Sequence, residues 1–122
     1  MILGTGIDII EVERVKRAAA KEGFMGRVFT ETERQRLKSG NNDPQRIAGV
    51  FAAKEAVAKA LGTGIGIIEW REIEITHDEK GRPLAALSGK ALRLMKSMGG
   101  RMLHVSISHI KDIAVAQAIL EG

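Results

Sequence analysis

The chain has 122 residues with 44% hydrophobic and 28% charged side chains, the composition of a folded domain and the length of one. It has no cysteine, which excludes disulfides, thiolate zinc sites, iron–sulfur clusters and a cysteine nucleophile. Of its net +4 charge, the whole excess lies between Arg14 and Arg36, where seven basic residues face only Glu22, Glu31 and Glu33.

Ile2–Ile10 reads as an isoleucine-rich strand punctuated by glycine. Glu11–Lys21 runs from acidic to basic, the order a helix dipole favours, and Gly23 and Gly26 break the pattern. Thr30 and Glu33 form a capping-box signal for a helix to about Lys38. Asp43 is placed to cap the next helix, with Pro44 at its first position. From Pro44 to Leu61, Ile47, Val50, Phe51, Val57 and Leu61 recur at helical spacing, and Gly62 supplies the stop. A strand is expected over Ile68–Thr76, a turn over Asp78–Pro83 and a short strand over Leu84–Leu87. A helix from about Gly89 to Met98 follows, then strands Met102–Ile110 and Ile113–Leu120. Clustered, hairpin-like strands give an α+β class, with a largely antiparallel sheet packed with helices. The tetrapeptide GTGI occurs at 4–7 and 62–65, but its flanks do not match and no repeat is assigned.

No charge-free stretch exceeds nine residues, far short of the roughly 20 that a membrane span needs. Met1–Ile7 meets Asp8 at once and lacks a basic lead, so the expectation is a cytoplasmic protein without a signal peptide or membrane partner.

The basic segment calls for an anionic partner. Three Phe, one Trp and no Tyr make a thin base-stacking platform, and Phe24, Met25 and Val28 among the charges suit an acidic protein equally well. A solvated helix face with an excess of charge explains the pattern as well.

Asp8, between Ile7 and Ile9, must be paired, metal-bound or protonated if it is buried. Alone, it reads first as a solvated side chain or a helix cap. Phe51, Glu55 and Lys59, four apart, stack on one stripe of the long helix. They could form a pocket wall, with the carboxylate for a cation and the ammonium for a phosphate. The plainer reading is a surface Glu–Lys pair worth roughly 0.2–0.5 kcal/mol. His104, Ser106 and Ser108 share one strand face and His109 takes the other, which argues against a shared metal. His104 is left as a base or phosphate donor, His109 as a structural group bonded at the strand end, and His77 as exposed and without a role. The glycines of Gly62-Thr63-Gly64-Ile65-Gly66 suggest anion binding through N–H groups, but the loop follows a helix and has no Gly-Lys-Ser/Thr. It reads first as a helix stop.

Three blocks, however, resemble the holo-acyl-carrier-protein synthases of the 4′-phosphopantetheinyl transferase family. They are Gly4–Glu11 (GTGIDIIE), Phe51–Gly66 (FAAKEAVAKALGTGIG) and His104–His109 (HVSISH), in the family's order and spacing. The resemblance covers nearly the whole chain and implies one transferase domain over residues 1–122. It implies transfer of the phosphopantetheine arm of coenzyme A to a serine of apo-acyl carrier protein, in fatty acid synthesis, with release of adenosine 3′,5′-bisphosphate. On that match Asp8 and Glu55 would hold Mg²⁺, and Lys59 would complete the catalytic set. Lys54, Lys59, Gly62, Thr63, Gly64, Gly66, Pro83 and His104 would bind the coenzyme. A metal-held water and Asp8 both stay open as the base. Arg14, Arg17, Lys21 and Arg27, with Phe24 and Met25 as apolar contacts, would meet the acidic carrier. The family's fold implies a homotrimer with active sites between subunits; no nucleic acid partner is expected. The alternative is a non-enzymatic basic module for RNA or an acidic protein.

The chain departs from the family at Val50, where members usually carry arginine before the phenylalanine of the middle block. Arg46, one helical turn earlier, is expected to reach over to that coenzyme phosphate, and Arg46→Ala to raise the Michaelis constant for coenzyme A.

Overall fold

The computed structural model describes residues 1–122. Its centre is helix α4, Pro44–Ala60. The helix starts as the residues dictate: the Asp43 side chain accepts from Gln45 N–H at 3.0 Å, and Pro44, which has no N–H to leave orphaned, takes the first turn. Ile47, Val50, Ala53, Val57 and Ala58 are buried, and so are Ala48, Ala52, Ala56 and Ala60 between them. The helix is therefore apolar nearly all round and belongs inside the fold.

Against it lies an antiparallel sheet in the order β1 (Ile2–Glu11), β5 (Ile113–Glu121), β4 (Met102–His109). Strands β2 (Ile73–His77) and β3 (Pro83–Leu87) form a separate antiparallel pair. Helices α1 (Val12–Ala19), α2 (Phe24–Val28) and α3 (Glu31–Ser39) lie between β1 and α4 in the chain, and α5 (Gly89–Ser97) between β3 and β4. The α+β class with antiparallel strands is the one expected, although the strands divide into two sheets.

Strand β1 lies unusually close to α4. A Cβ on Gly6 would collide with the carbonyl oxygen of Ala56 and come within 2.8 Å of Ala60 N, and a Cβ on Gly4 would collide with the Ala60 carbonyl. Glycine is needed here for space.

The Thr30–Glu33 capping box forms, with Thr30 N–H donating to Glu33 Oε1 at 2.9 Å and Glu33 N–H to Thr30 Oγ1 at 3.2 Å. Two local expectations are corrected. Phe24–Val28 is a short helix, entered through Gly23 at φ 84°, where Gly23 and Gly26 had suggested only a break. The strand expected over Ile68–Thr76 starts only at Ile73. Glu69 N–H donates to Glu72 Oε1 at 2.7 Å and folds Trp70–Glu72 into a 3₁₀ turn first.

Candidate active site

The glycine contacts decide where Asp8 goes. Gly4, Gly6 and Asp8 share the face of β1 that meets α4, while Ile7 and Ile9 point to the open side. Asp8 therefore turns towards the C-terminal half of α4. Lys59 reaches across to it, donating to Asp8 Oδ1 at 3.2 Å and to the Ile7 carbonyl at 2.9 Å. The Asp8 carboxylate is 16% exposed and the Lys59 side chain 49%, so the pair lies at the mouth of a cleft.

That cleft, of about 420 Å³, is walled by Phe51, Glu55 and Lys59 from α4, Asp8 from β1, Arg14 from α1 and Phe24 from α2. Phe24 stacks on Phe51 with ring centroids 6.2 Å apart, and Phe51 meets Trp70 at 5.0 Å, so the acidic groups stand beside an aromatic wall. Burial pushes the Glu55 carboxyl up from its ordinary value, the Asp8 charge adds to this, and Lys59 opposes it. Two crowded carboxylates with one ammonium suit a divalent cation. No third His, Asp or Glu joins them in a metal-holding cluster. Two carboxylates fit Mg²⁺, which commonly keeps waters and substrate phosphate oxygens as its other ligands.

Of the residues singled out from the sequence, the fold gathers Asp8, Glu55, Lys59, Arg14 and Phe24 into one cleft. Arg17 and Lys21 are exposed nearby on and just beyond α1, and Arg27 is exposed on α2. Met25 lines a separate depression with Lys16 and Pro44.

Lys54 requires correction. Its ammonium is fully buried, 2.6 Å from Glu33 Oε1 and 5.5 Å from the Phe29 ring centroid, so it faces no ligand. Burial lowers its pKa, and Glu33 opposes that shift. Glu33 was legible only as a cap; it also accepts Ile75 N–H at 2.7 Å and so ties α3, α4 and β2 together.

The glycine loop forms the helix stop read from the sequence, with Gly62 at φ 79° just past the end of α4. Gly62 N–H donates to Lys59 O, Thr63 and Gly64 N–H to Ala58 O, and Gly66 N–H to Ile68 O, so these donors are spent on backbone carbonyls. The Thr63 hydroxyl is buried without a partner. Pro83 and His104 do not line the Asp8 cleft. Pro83 borders a second groove, and His104 lies on the open sheet face with Nε2 2.9 Å from Glu121 Oε1. His109 is exposed and borders that second groove with His77. His77 is half-buried, not exposed as expected, and its Nδ1 is buried with no partner.

Residues 4–117 match the family model of the 4′-phosphopantetheinyl transferase superfamily. The chain is 51% identical over 120 residues to the holo-[acyl-carrier-protein] synthase of Alkaliphilus oremlandii, covering 98% of each chain. It is 48% identical to that of Clostridium tetani, covering 100% of this chain and 98% of the other. Among solved structures, the holo-(acyl-carrier-protein) synthase from Bacillus anthracis in complex with CoA (3′,5′-ADP) matches with a TM-score of 0.84. That match has 42% identity and covers 100% of this chain and 98% of the other. The synthase from Neisseria meningitidis matches with a TM-score of 0.89 and 35% identity over the whole of both chains. With sequence and fold matched from end to end, the chain belongs to the 4′-phosphopantetheinyl transferase superfamily.

Proposed function

We propose that the protein transfers the 4′-phosphopantetheine arm of coenzyme A to a serine of an apo-acyl carrier protein, using Mg²⁺ held by Asp8 and Glu55. The observation that carries this reading is the convergence of Asp8, Glu55 and Lys59 in one cleft beside the basic surface of α1. The relatives' names and the coenzyme bound to the Bacillus anthracis synthase support it.

The serine hydroxyl gives up its proton in the cleft, where Asp8 and a metal-held water both stay open as the base. Its oxygen attacks the β-phosphorus of the coenzyme, the bond to the bridging oxygen breaks, and adenosine 3′,5′-bisphosphate leaves. When bound, the metal neutralises pyrophosphate charge and polarises the phosphorus. Asp8 and Glu55 hold that charge in the cleft. Lys59, one helical turn beyond Glu55, brings its ammonium to the leaving phosphate. Phe24 and Phe51 keep one wall apolar, which strengthens the charge interactions inside. Arg14, Arg17, Lys21 and Arg27 steer an acidic carrier to the cleft mouth, and none of them is held in an ion pair.

The active form is a homotrimer with sites shared between subunits. Supporting this, the open face of the main sheet exposes Ile7 at 62% and Ile9 at 68%, apolar surface that a further copy would cover. Pro83 and His104, remote from their own chain's cleft, would then serve a neighbouring one. The reading places the enzyme in the cytoplasm and in fatty acid synthesis. Its test is the release of adenosine 3′,5′-bisphosphate, followed chromatographically. Release that needs both the apo-carrier and Mg²⁺, and collapses in Lys59→Ala, supports the reading; release indifferent to the carrier contradicts it.

A further inference from the structure

The chain's three phenylalanines and its one tryptophan form a single line of rings. Phe29, fully buried, stands edge-on to Phe24 with centroids 6.2 Å apart. Phe24 stacks on Phe51, and Phe51 rests against Trp70, the half-buried last ring of the line. Phe24 and Phe51 line the Asp8 cleft but Trp70 does not, so the indole stands behind the aromatic wall. It is anchored from its far side. Its 3₁₀ turn is closed by Glu69 N–H on Glu72 Oε1, and Glu72 Oε2 accepts Lys90 N–H at the start of α5, so one carboxylate ties the turn to a helix. Helix α2, which carries Phe24, has no such anchorage. It has five residues, far too few to be stable alone, and no side-chain cap. Its place is set by what it packs on, and it packs on the 3₁₀ turn and on α1.

We propose that Trp70 is a positioning residue for carrier recognition: through the ring of Phe51 it fixes Phe24, and with it the helix that presents Phe24, Met25 and Arg27 to the carrier. This rests on the reading that an acyl carrier protein docks on α1 and α2. Loss of the indole leaves Phe51 free to turn away from Phe24, and the short helix then loses the stack that holds it. The framework confines the effect to the carrier. Asp8, Glu55 and Lys59 are carried by β1 and α4, which the main sheet and the close Gly4 and Gly6 contacts hold together without Trp70. The coenzyme side of the cleft therefore keeps its geometry when the carrier side loosens.

The test is calorimetric titration of the full chain with an apo-acyl carrier protein and, separately, with coenzyme A. The natural chain is compared with Trp70→Leu, which keeps apolar bulk and the fold but offers no ring, and with Trp70→Phe, which keeps a ring. Trp70→Leu is expected to weaken carrier binding by ~3- to 10-fold, what one aromatic pair is worth, with affinity for coenzyme A unchanged. Trp70→Phe should restore most of the loss. In a Phe24→Ala background, Trp70→Leu should cost the carrier nothing more, because the ring it acts through is gone. Melting curves above the titration temperature exclude unfolding. The inference is overturned, with the transfer reading intact, if Trp70→Leu binds the carrier as the natural chain does or weakens carrier and coenzyme alike. It is overturned equally if the loss simply adds to that of Phe24→Ala. A natural chain that binds no carrier overturns the docking reading and the inference together.

Discussion

Gly6 on β1 lies so close to Ala56 on α4 that no Cβ fits between the strand and the helix carbonyl. The same approach brings Asp8, two residues on and on the same face, to Lys59. Gly6→Ala must push the strand away, at about 1–3 kcal/mol for overpacking. Transfer activity, assayed well below the melting temperature, should fall further than the loss of folded protein explains, because Asp8 moves with the strand. A variant that melts lower but keeps full activity would show that the close approach serves packing alone.

The buried Lys54–Glu33 pair should behave as structure rather than as a coenzyme contact. Glu33→Gln leaves an uncompensated ammonium and should cost about 3–5 kcal/mol by chemical denaturation. Glu33→Gln combined with Lys54→Met removes both charges and should recover most of that loss. If Lys54→Met instead raised the Michaelis constant for coenzyme A at unchanged stability, Lys54 would belong to the site after all.

Glu55 makes a prediction about pH. Its carboxyl is raised in the folded protein, so between its ordinary value of 4.5 and the folded value the native state binds more proton than the unfolded chain. Stability in the presence of a chelator should therefore fall as pH rises through that window, and Glu55→Gln should remove this component of the slope. Melting curves against pH measure it; a natural chain and a variant with parallel profiles would contradict the assignment.

Arg17 and Lys21, exposed on and just beyond α1, should act on the carrier alone. Arg17→Glu with Lys21→Glu should raise the carrier's Michaelis constant by ~10-fold or more at low ionic strength, with the effect shrinking as salt is added. The constant for coenzyme A should not move. Equal rises in both would place these residues in the coenzyme site instead.

Much of this was legible locally. Asp43-Pro44 and Gly62 bounded α4 to within a residue, and four-residue spacing put Phe51, Glu55 and Lys59 on one wall. Lys54 was assigned to the coenzyme through the family resemblance alone, and because α4 is apolar nearly all round its hydrophobic pattern does not say which way this lysine faces. Its partner is 21 residues away, and only the capping box marked Glu33. His77 gained its surroundings from Arg36 on α3 and Arg46 on α4, a convergence that no local spacing encodes. Gly4 and Gly6 were visible, but that they make room for a helix carbonyl depends on a contact 50 residues along the chain.

Metal-dependent phosphopantetheinyl transfer is proposed at the Asp8–Glu55–Lys59 cleft. The most direct measurement is the intact mass of an apo-acyl carrier protein after incubation with this protein, coenzyme A and Mg²⁺, with EDTA and Glu55→Gln as controls. A gain of one phosphopantetheine on the carrier is expected, and it should disappear in both controls. No gain with folded protein on several carriers, or a gain that survives both EDTA and Glu55→Gln, would contradict it.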